Sequence, residues 1–287
     1  MSDDATMRSW PPGRSPARLS RPLRSFLALI GAGFRRYSTY RQATIAGIFT
    51  NTVFGFLNCS VLLAVAHGRG GAVAGYDARQ LVTLVWINQG LFATVGAWSD
   101  IGLADRIRSG DVVADLLRPI HPLLNYLGGD LGRAGFQAIT RSAVPTVVGA
   151  LAFTLYLPHR LTTYPLFAVS VFFGVLISFA CRYLVQACAF WLLDVRGPTV
   201  AFVVLVSLVG GQYFPIRFLP GWLVWTIWLG TPFPSLQQAP VDVFVERVSL
   251  PAQVGLLAVQ AFWAAVTLAA GTVVQRAAER RLVVQGG

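Results

Sequence analysis

The sequence predicts an all-α integral membrane protein, and three observations lead to that class. Apolar residues make up 55% of the chain and charged residues only 12%, against about 25% charged residues in soluble domains. Several uncharged runs reach the roughly 20 residues that a helix needs to cross a bilayer core. These runs do not alternate polar and apolar residues, as the strands of a membrane barrel do, so the spans are predicted to be helices.

Six spanning helices are predicted in a membrane domain that comprises residues 21–287. Residues 1–20 are rich in Arg, Pro and Ser and are predicted to form a disordered cytoplasmic tail. The third span contains Pro145, which removes a helical hydrogen bond and is expected to kink the helix. The predicted spans run approximately over residues 43–66, 80–99, 134–157, 164–192, 198–213 and 252–275.

The segment before the first span, residues 23–41, is predicted to form an amphipathic helix in the membrane surface. Its apolar residues recur at helical spacing and fall on one stripe, whereas the arginines lie off that stripe. A helix with this pattern lies in the headgroup region; the alternative is an ordinary helix that packs on protein. The residues assigned to this interfacial helix are Phe26, Ile30, Phe34, Arg35 and Arg36.

Between the second and third predicted spans, the chain carries the charged stretch DIGLADRIRSGDVVADLLRPIHPL, residues 100–123. Gly110 is expected to end one short helix and Asp111 to cap the next. A short amphipathic helix with exposed charge can dock into a groove on a partner protein; the alternative is a capped loop that joins two spans. The predicted apolar side consists of Val112, Val113, Leu116 and Leu117. The charged residues assigned to the segment are Asp105, Arg106, Arg108, Asp111, Asp115 and Arg118.

The chain changes character between the fifth and sixth predicted spans, where five prolines interrupt residues 215–240. The apolar core of this stretch, Trp222 to Leu229, is too short to cross a bilayer. Backbone that is broken at membrane depth must be buried in protein or line a wet cavity, so a re-entrant hairpin of two short helices is predicted. Trp222, Trp225 and Trp228 are spaced to share one side of the first helix. The residues assigned to the hairpin are Tyr213, Pro215, Pro220, Trp222, Pro232 and Pro234.

The distribution of arginine sets the predicted orientation. All 23 basic residues are arginine; seventeen fall on the side of the N-terminus and five on the other side, with Arg182 left inside a span. Positive residues concentrate on the cytoplasmic side of membrane proteins, so both termini are predicted to be cytoplasmic. The charged stretch then lies in the cytoplasm and the hairpin at the outer face.

Polar side chains inside the spans are candidates for a functional role, because it is costly to place them in lipid. Arg141 is close enough to the cytoplasmic surface to extend towards it. Arg182 either does the same or is paired or faces a cavity. Asparagines in spans either line a path or join helices by hydrogen bonds. The residues assigned to a possible path are Asn51, Asn88 and Arg182.

Several classes of site are excluded by residues that the sequence lacks. Without a lysine, the chain contains no phosphate-binding P-loop, which requires the lysine of GxxxxGK[ST]. The sequence has no Cys/His metal-ligand spacing and no HExxH or GxSxG motif, so no metal site and no catalytic residue are assigned. The net charge of +11 comes from arginines at the ends of the spans and in the tail, and no nucleic-acid partner is predicted.

Two stretches of the sequence resemble bacterial six-span permeases of the type-2 ABC transporters. DRIRSGDVVADLLRPIHPLLNYL is similar to their cytoplasmic segment after the second span, and GGQYFPIRFLPGWL to their hairpin before the last span. The resemblance covers roughly residues 21–280. The chain departs from the family pattern at Val112 and Val113, where the family usually carries a leucine followed by aspartate.

The resemblance implies that the chain is the membrane subunit of an ATP-driven exporter in the bacterial plasma membrane. It implies that two permeases, identical or homologous, form the translocation path together. Separate ATPase subunits, which hold ATP and Mg²⁺, are expected to bind the charged stretch as a coupling helix. The chain itself is expected to hold no cofactor and to catalyse no reaction, and membrane lipids are its other expected partner. The alternative is a secondary carrier or channel without an ATPase, which the scarcity of carboxylates deep in the spans disfavours.

Overall fold

The computed structural model describes residues 21–68, 72–118, 120–192 and 194–285. The predicted disordered tail, residues 1–20, lies outside the described residues. Of the described residues, 80% are helical, and a small antiparallel hairpin is formed by β1 (Ala72–Val73) and β2 (Tyr76–Asp77). The α-helices are α1 (Arg21–Ser38), α2 (Arg41–Gly68), α3 (Ala78–Val95), α4 (Leu103–Ser109), α5 (Val112–Leu116), α6 (Pro122–Gln137), α7 (Ala143–Ala152), α8 (Thr163–Ala187), α9 (Arg196–Val209), α10 (Gly221–Gly230), α11 (Gln238–Phe244) and α12 (Leu250–Gln285).

Three helical segments in the described part of the chain are long and apolar enough to cross a membrane: Arg41–Gly68, Thr163–Phe190 and Leu250–Arg281. They coincide with the first, fourth and sixth predicted spans. The other predicted spans correspond to α3, to α6 with α7, and to α9. At 1.5 Å per residue, the fourteen residues of α9 reach only about 21 Å, short of a bilayer core of about 30 Å. A count of six spans therefore remains a prediction.

The third predicted span begins earlier than its hydropathy indicates. Helix α6 starts at Pro122, a residue that suits the first helical position because its missing N–H would have no partner there. A π-helical turn, Ala138–Ser142, joins α6 to α7, just before Pro145. Because Pro145 cannot donate to a carbonyl in the preceding turn, the expected irregularity takes the form of this wide turn. The early start places Asp130 and Arg133 on a helix instead of in a loop.

The amphipathic helix predicted before the first span is present as α1, and one of its sides packs on α6. The two backbones approach closely at glycines, since a Cβ on Gly33 would collide with the carbonyl of Gly129, and one on Gly132 with the carbonyl of Ile30. Elsewhere on α1, Leu23 and Leu27 are exposed. Helix α1 therefore has features of both alternatives that the sequence allowed: it packs on protein, and it also keeps apolar side chains exposed. Of the residues assigned to it, Phe26 and Ile30 are half-buried, and Phe34, Arg35 and Arg36 are exposed.

The hairpin predicted before the last span contains the two short helices α10 and α11, joined by a 3₁₀ turn at Phe233–Ser235. The three tryptophans predicted to share one side lie on α10, but they differ in exposure: Trp222 and Trp225 are exposed, whereas Trp228 is buried. The guanidinium of Arg217 lies 5.6 Å from the ring centre of Trp228, so a cation–π contact keeps that ring inside. Among the assigned residues, Pro215 and Pro234 are buried, Pro232 is half-buried, and Tyr213, Pro220 and Trp222 are exposed.

Candidate functional site

The charged stretch folds as two short helices, α4 and α5, that meet at a glycine. Gly110 adopts a left-handed conformation with φ of 81°, and its N–H donates to the carbonyl of Ile107, so the predicted helix end is confirmed. The predicted capping role of Asp111 is wrong. Its backbone is already helical, and its carboxylate accepts a hydrogen bond from the Ser109 hydroxyl at 2.8 Å. The reversal of the chain at Gly110 brings α4 and α5 into contact.

The buried carboxylate of Asp115 joins the two helices. Its side chain is only 2% exposed and accepts hydrogen bonds from Arg106 Nε at 2.6 Å and from the Tyr126 hydroxyl at 2.8 Å. Arg118 lies 3.6 Å away. Charge-assisted hydrogen bonds of this kind are about twice as strong as neutral ones. Asp115 therefore acts as the centre of an ionic cluster that fixes α5 against α4 and α6.

This cluster changes which side of α5 faces outwards. Val112 is buried beside Asp115, but Val113 is exposed and Leu117 is 83% exposed. The prediction of one apolar side that includes all four residues is therefore wrong, because Arg106 and Tyr126 make an inward position favourable for the carboxylate. The outer surface of α4 and α5, here called the docking surface, combines charge and apolar side chains. It comprises Asp105, Arg108, Asp111, Val113, Leu117 and Arg118.

Helix α8 holds the start of this segment. Gln186 Oε1 accepts hydrogen bonds from the backbone N–H groups of Leu103 at 2.9 Å and Ala104 at 3.3 Å. Its Nε2 donates to Asp100 at 2.6 Å. The first N–H groups of a helix have no partner within the helix, so Gln186 satisfies two that would otherwise be buried. At the other end of α4, Arg108 donates to Asp194 at 3.1 Å, just before α9.

A second buried ionic cluster lies between α6 and α8. Asp130 on α6 pairs with Arg133 at 2.7 Å and with Arg182 of α8 at 2.7 Å, and each of these side chains is at most 3% exposed. Arg133 also donates to the carbonyls of Ala93, Thr94 and Val95. The last carbonyls of a helix lack partners and carry partial negative charge, so Arg133 caps α3. Arg182 is thus buried and paired, and it also donates to the carbonyl of Ser99 at 3.2 Å.

The comparison with protein families decides the assignment. The model of the ABC-2 family transporter proteins matches residues 50–286, most of the chain. The chain belongs to the ABC-2 transporter family. Comparison with curated proteins and with solved structures finds no match. The protein is therefore a multi-pass membrane permease, the transport subunit of a transporter family that implies association with ABC ATPase subunits.

The structure of this permease brings some of the assigned residues together and keeps others apart. The six charged residues assigned to the charged stretch lie within α4, α5 and their ends, and only Asp115 is buried. Asn51 donates to the carbonyl of Gln89 at 3.1 Å, and Asn88 to the carbonyl of Gly211 at 3.1 Å. Both asparagines therefore join segments of the permease, whereas a role in a path remains a prediction. Arg182 pairs with Asp130, far along the chain from either asparagine.

Sequence reasoning missed Asp130, which pairs with Arg182, and Gln186, which holds the start of α4. Asp130 lies outside the predicted third span, which begins at residue 134. A local signal was available: Asp130 and Arg133 have the i, i+3 spacing of a pair on one helix face. Gln186 carries no such signal, because its partners lie more than eighty residues away.

The opposite end of the permease carries a carboxylate clamp at Glu246. Its side chain is 4% exposed and accepts hydrogen bonds from the Thr163 hydroxyl at 2.6 Å, the Tyr156 hydroxyl at 2.8 Å and the N–H of Arg160 at 3.0 Å. Burial alone would raise the pKa of Glu246, but these hydrogen bonds outweigh it and lower the pKa to about 2. The clamp ties the connection before α8 to the connection before α12.

Replacement of Glu246 by glutamine is expected to lower the thermal midpoint of the purified permease at pH 7. Because the folded-state pKa lies below the ordinary value of 4.5, the carboxylate stabilises the fold above pH 4.5 and loses that effect as the pH falls towards 2. The loss at pH 7 is expected to be about 1–3 kcal/mol. Thermal unfolding between pH 7 and pH 3 should show the difference between wild type and variant shrinking with acidity. A difference that stays constant over this range would contradict the role of the clamp.

Proposed function

We propose that this permease is the membrane subunit of an ATP-driven exporter and that separate ATPase subunits bind its docking surface. The observation that carries the proposal is the construction of α4 and α5. Two short helices are fixed to each other by the Asp115 cluster, and they present Val113 and Leu117 to the outside beside exposed charges. An exposed apolar centre with a polar rim is typical of a protein interface. ATP and Mg²⁺ are assigned to the ATPase.

Movement of the docking surface would reach the membrane helices through three buried contacts. Gln186 connects α4 to α8, Arg182 connects α8 to the Ser99 carbonyl and to α6, and Arg133 connects α6 to the end of α3. Chains of packed and hydrogen-bonded groups with discrete arrangements carry energetic coupling. Coupling energies between distant sites are about 1–3 kcal/mol, which a few such contacts can supply.

The proposed assembly contains two permeases, identical or homologous, in the bacterial plasma membrane. The proposed assembly has six spans per permease, so both termini lie on one side, and the excess of arginine on that side supports a cytoplasmic location for the termini and the docking surface. In this orientation the Glu246 clamp and the hairpin of α10 and α11 face outwards. Membrane lipids surround the assembly, and no nucleic acid takes part.

A substitution at the centre of the docking surface tests this function. Leu117→Glu is expected to reduce recovery of the ATPase with the affinity-purified permease about tenfold, since loss of one buried apolar anchor costs roughly 1–2 kcal/mol. Leu161→Glu is the matched control, because Leu161 is 85% exposed against 83% for Leu117 and lies in the connection between α7 and α8. Equal recovery from both variants would contradict the proposal.

The alternative function is a secondary carrier or channel that works without an ATPase. It predicts transport by the purified chain alone in liposomes, driven only by an ion or substrate gradient. The described spans carry Asp130 as a buried carboxylate, but two arginines neutralise it, whereas a proton carrier needs a carboxylate that can be protonated during transport. Transport that requires the ATPase would exclude this alternative.

A further inference from the structure

A cavity of about 460 Å³ opens between α1, the α4–α5 segment and α6. It is here called the α1 cavity, because Leu29, Gly33 and Arg36 of that helix form one wall. Arg118, at the end of α5, and Asn125, on α6, form another part of the lining. Four arginines line the cavity in total: Arg36, Arg106, Arg118 and Arg133.

The carboxylates that line the α1 cavity are already satisfied by other groups. Asp115 pairs with Arg106, and Asp130 pairs with Arg133 and with Arg182. The third, Asp100, accepts hydrogen bonds from the Gly102 N–H at 2.7 Å and from Gln186. Arg106 and Arg133 therefore have carboxylate partners within the protein, whereas Asp100 is hydrogen-bonded by neutral groups and keeps its negative charge.

The other two arginines of the lining keep donors free. Within the described ranges, Arg36 makes no ion pair and no side-chain hydrogen bond, and its side chain is exposed. Arg118 lies 3.6 Å from Asp115, which already pairs with Arg106, and 3.5 Å from the side-chain amide oxygen of Asn125. With four arginines against three aspartates in its lining, the α1 cavity is net positive, and its free donors belong to Arg36 on α1 and Arg118 at the end of α5. Two guanidinium groups that can each bind two oxygens suit a phosphate group.

The surroundings of the cavity indicate that the phosphate belongs to a lipid. Helix α1 exposes Leu23 and Leu27, and an amphipathic helix of this composition binds at the bilayer surface. Basic pockets of membrane proteins on the cytoplasmic side bind anionic headgroups. We propose that the α1 cavity binds the phosphate of an anionic phospholipid between Arg36 and Arg118. The lipid would then link α1 to the docking surface. This site does not depend on the assignment of the ATPase.

Ligand-dependent thermal shifts of the delipidated, detergent-purified permease test the proposal. Dihexanoyl phosphatidylglycerol is expected to raise the thermal midpoint in a saturable manner, whereas dihexanoyl phosphatidylcholine is not. The double variant Arg36→Gln/Arg118→Gln is expected to bind the anionic lipid at least about tenfold more weakly, because it loses two charge-assisted hydrogen-bonding groups. The control is Arg24→Gln/Arg35→Gln, which removes the same charge from exposed positions of α1 that do not line the cavity.

Three results would overturn the proposal. If glycerol phosphate shifts the midpoint at the same concentration as the anionic lipid, the cavity takes free phosphate esters. If the control variant weakens binding as much as the cavity variant, general surface charge accounts for the effect. Native mass spectrometry of the wild-type permease measures lipid retention directly and needs no variant. Anionic phospholipid should remain bound to it after zwitterionic lipid has dissociated, and equal dissociation of both would contradict the site.

Discussion

Replacement of Asp130 by alanine is expected to destabilise the permease by about 3–5 kcal/mol, the range for removing one partner from a buried ion pair. The change leaves the guanidinium groups of Arg133 and Arg182 buried without a counter-ion, and each of these side chains is at most 3% exposed. The thermal midpoint in detergent should fall by roughly 10 °C. Arg133 also caps α3, and Arg182 also contacts Ser99. The variant should therefore also destabilise the end of α3 and the start of the charged stretch.

The control for this variant is Asp105→Ala. Asp105 also lies 3.6 Å from an arginine, Arg108, but its side chain is 76% exposed, and exposed ion pairs contribute about 0–1 kcal/mol. Its thermal midpoint should therefore stay within about 2 °C of wild type. Similar losses in both variants would show that the buried cluster around Asp130 is not a special source of stability.

Replacement of Arg106 by alanine is expected to unfold α4 and α5 locally while the long helices remain intact. The substitution leaves the Asp115 carboxylate buried with the Tyr126 hydroxyl and without its closest cation. Because Arg106 is itself 36% exposed and Arg118 stays 3.6 Å from Asp115, the cost is about 1–3 kcal/mol. Limited proteolysis within residues 103–118 should become rapid, and recovery of the ATPase with the affinity-purified permease should fall at least tenfold.

A double variant separates the charge pair from the fold that it maintains. Arg106→Met/Asp115→Leu replaces the ion pair by apolar groups of similar size, which is often neutral or stabilising when a pair is buried. It should restore resistance to protease and much of the ATPase recovery. If Arg106→Ala retains full ATPase binding, or if the double variant is as labile as the single one, the ionic cluster does not shape the docking surface.

The class of fold could be predicted from the sequence because lipid imposes simple rules. Three long apolar helices, the amphipathic α1, the helix end at Gly110 and the two short helices before the last span all follow from patterns within about thirty residues. Each depends on a local cause, such as hydrophobic period or the conformational freedom of glycine. These are the features that the structure contains much as expected.

The features that were missed depend on specific side-chain contacts, several of them between distant parts of the chain. Asp115 faces inwards because its carboxylate accepts hydrogen bonds from Arg106 and Tyr126, which lie nine and eleven residues away in the chain. A rule that places apolar residues inside assigns that position to Leu116 or Leu117. The start of α6 was misplaced because hydropathy excluded Asp130, whose burial is possible only through Arg182 on another helix. The buried contact between the Tyr76 hydroxyl and Asp242 joins residues 166 positions apart.

The family match and the geometry of α4 and α5 lead to one central claim, that a separate ATPase binds the permease at the docking surface. Cross-linking from position 117 tests it most directly. Leu117→Cys in a Cys188→Ser background, coupled to a photoreactive reagent in membranes that contain both proteins, should capture the ATPase, whereas the same reagent on Leu161→Cys should not. Capture from position 161 in place of 117, or modification of position 117 only from the outer side of the membrane, would contradict the claim.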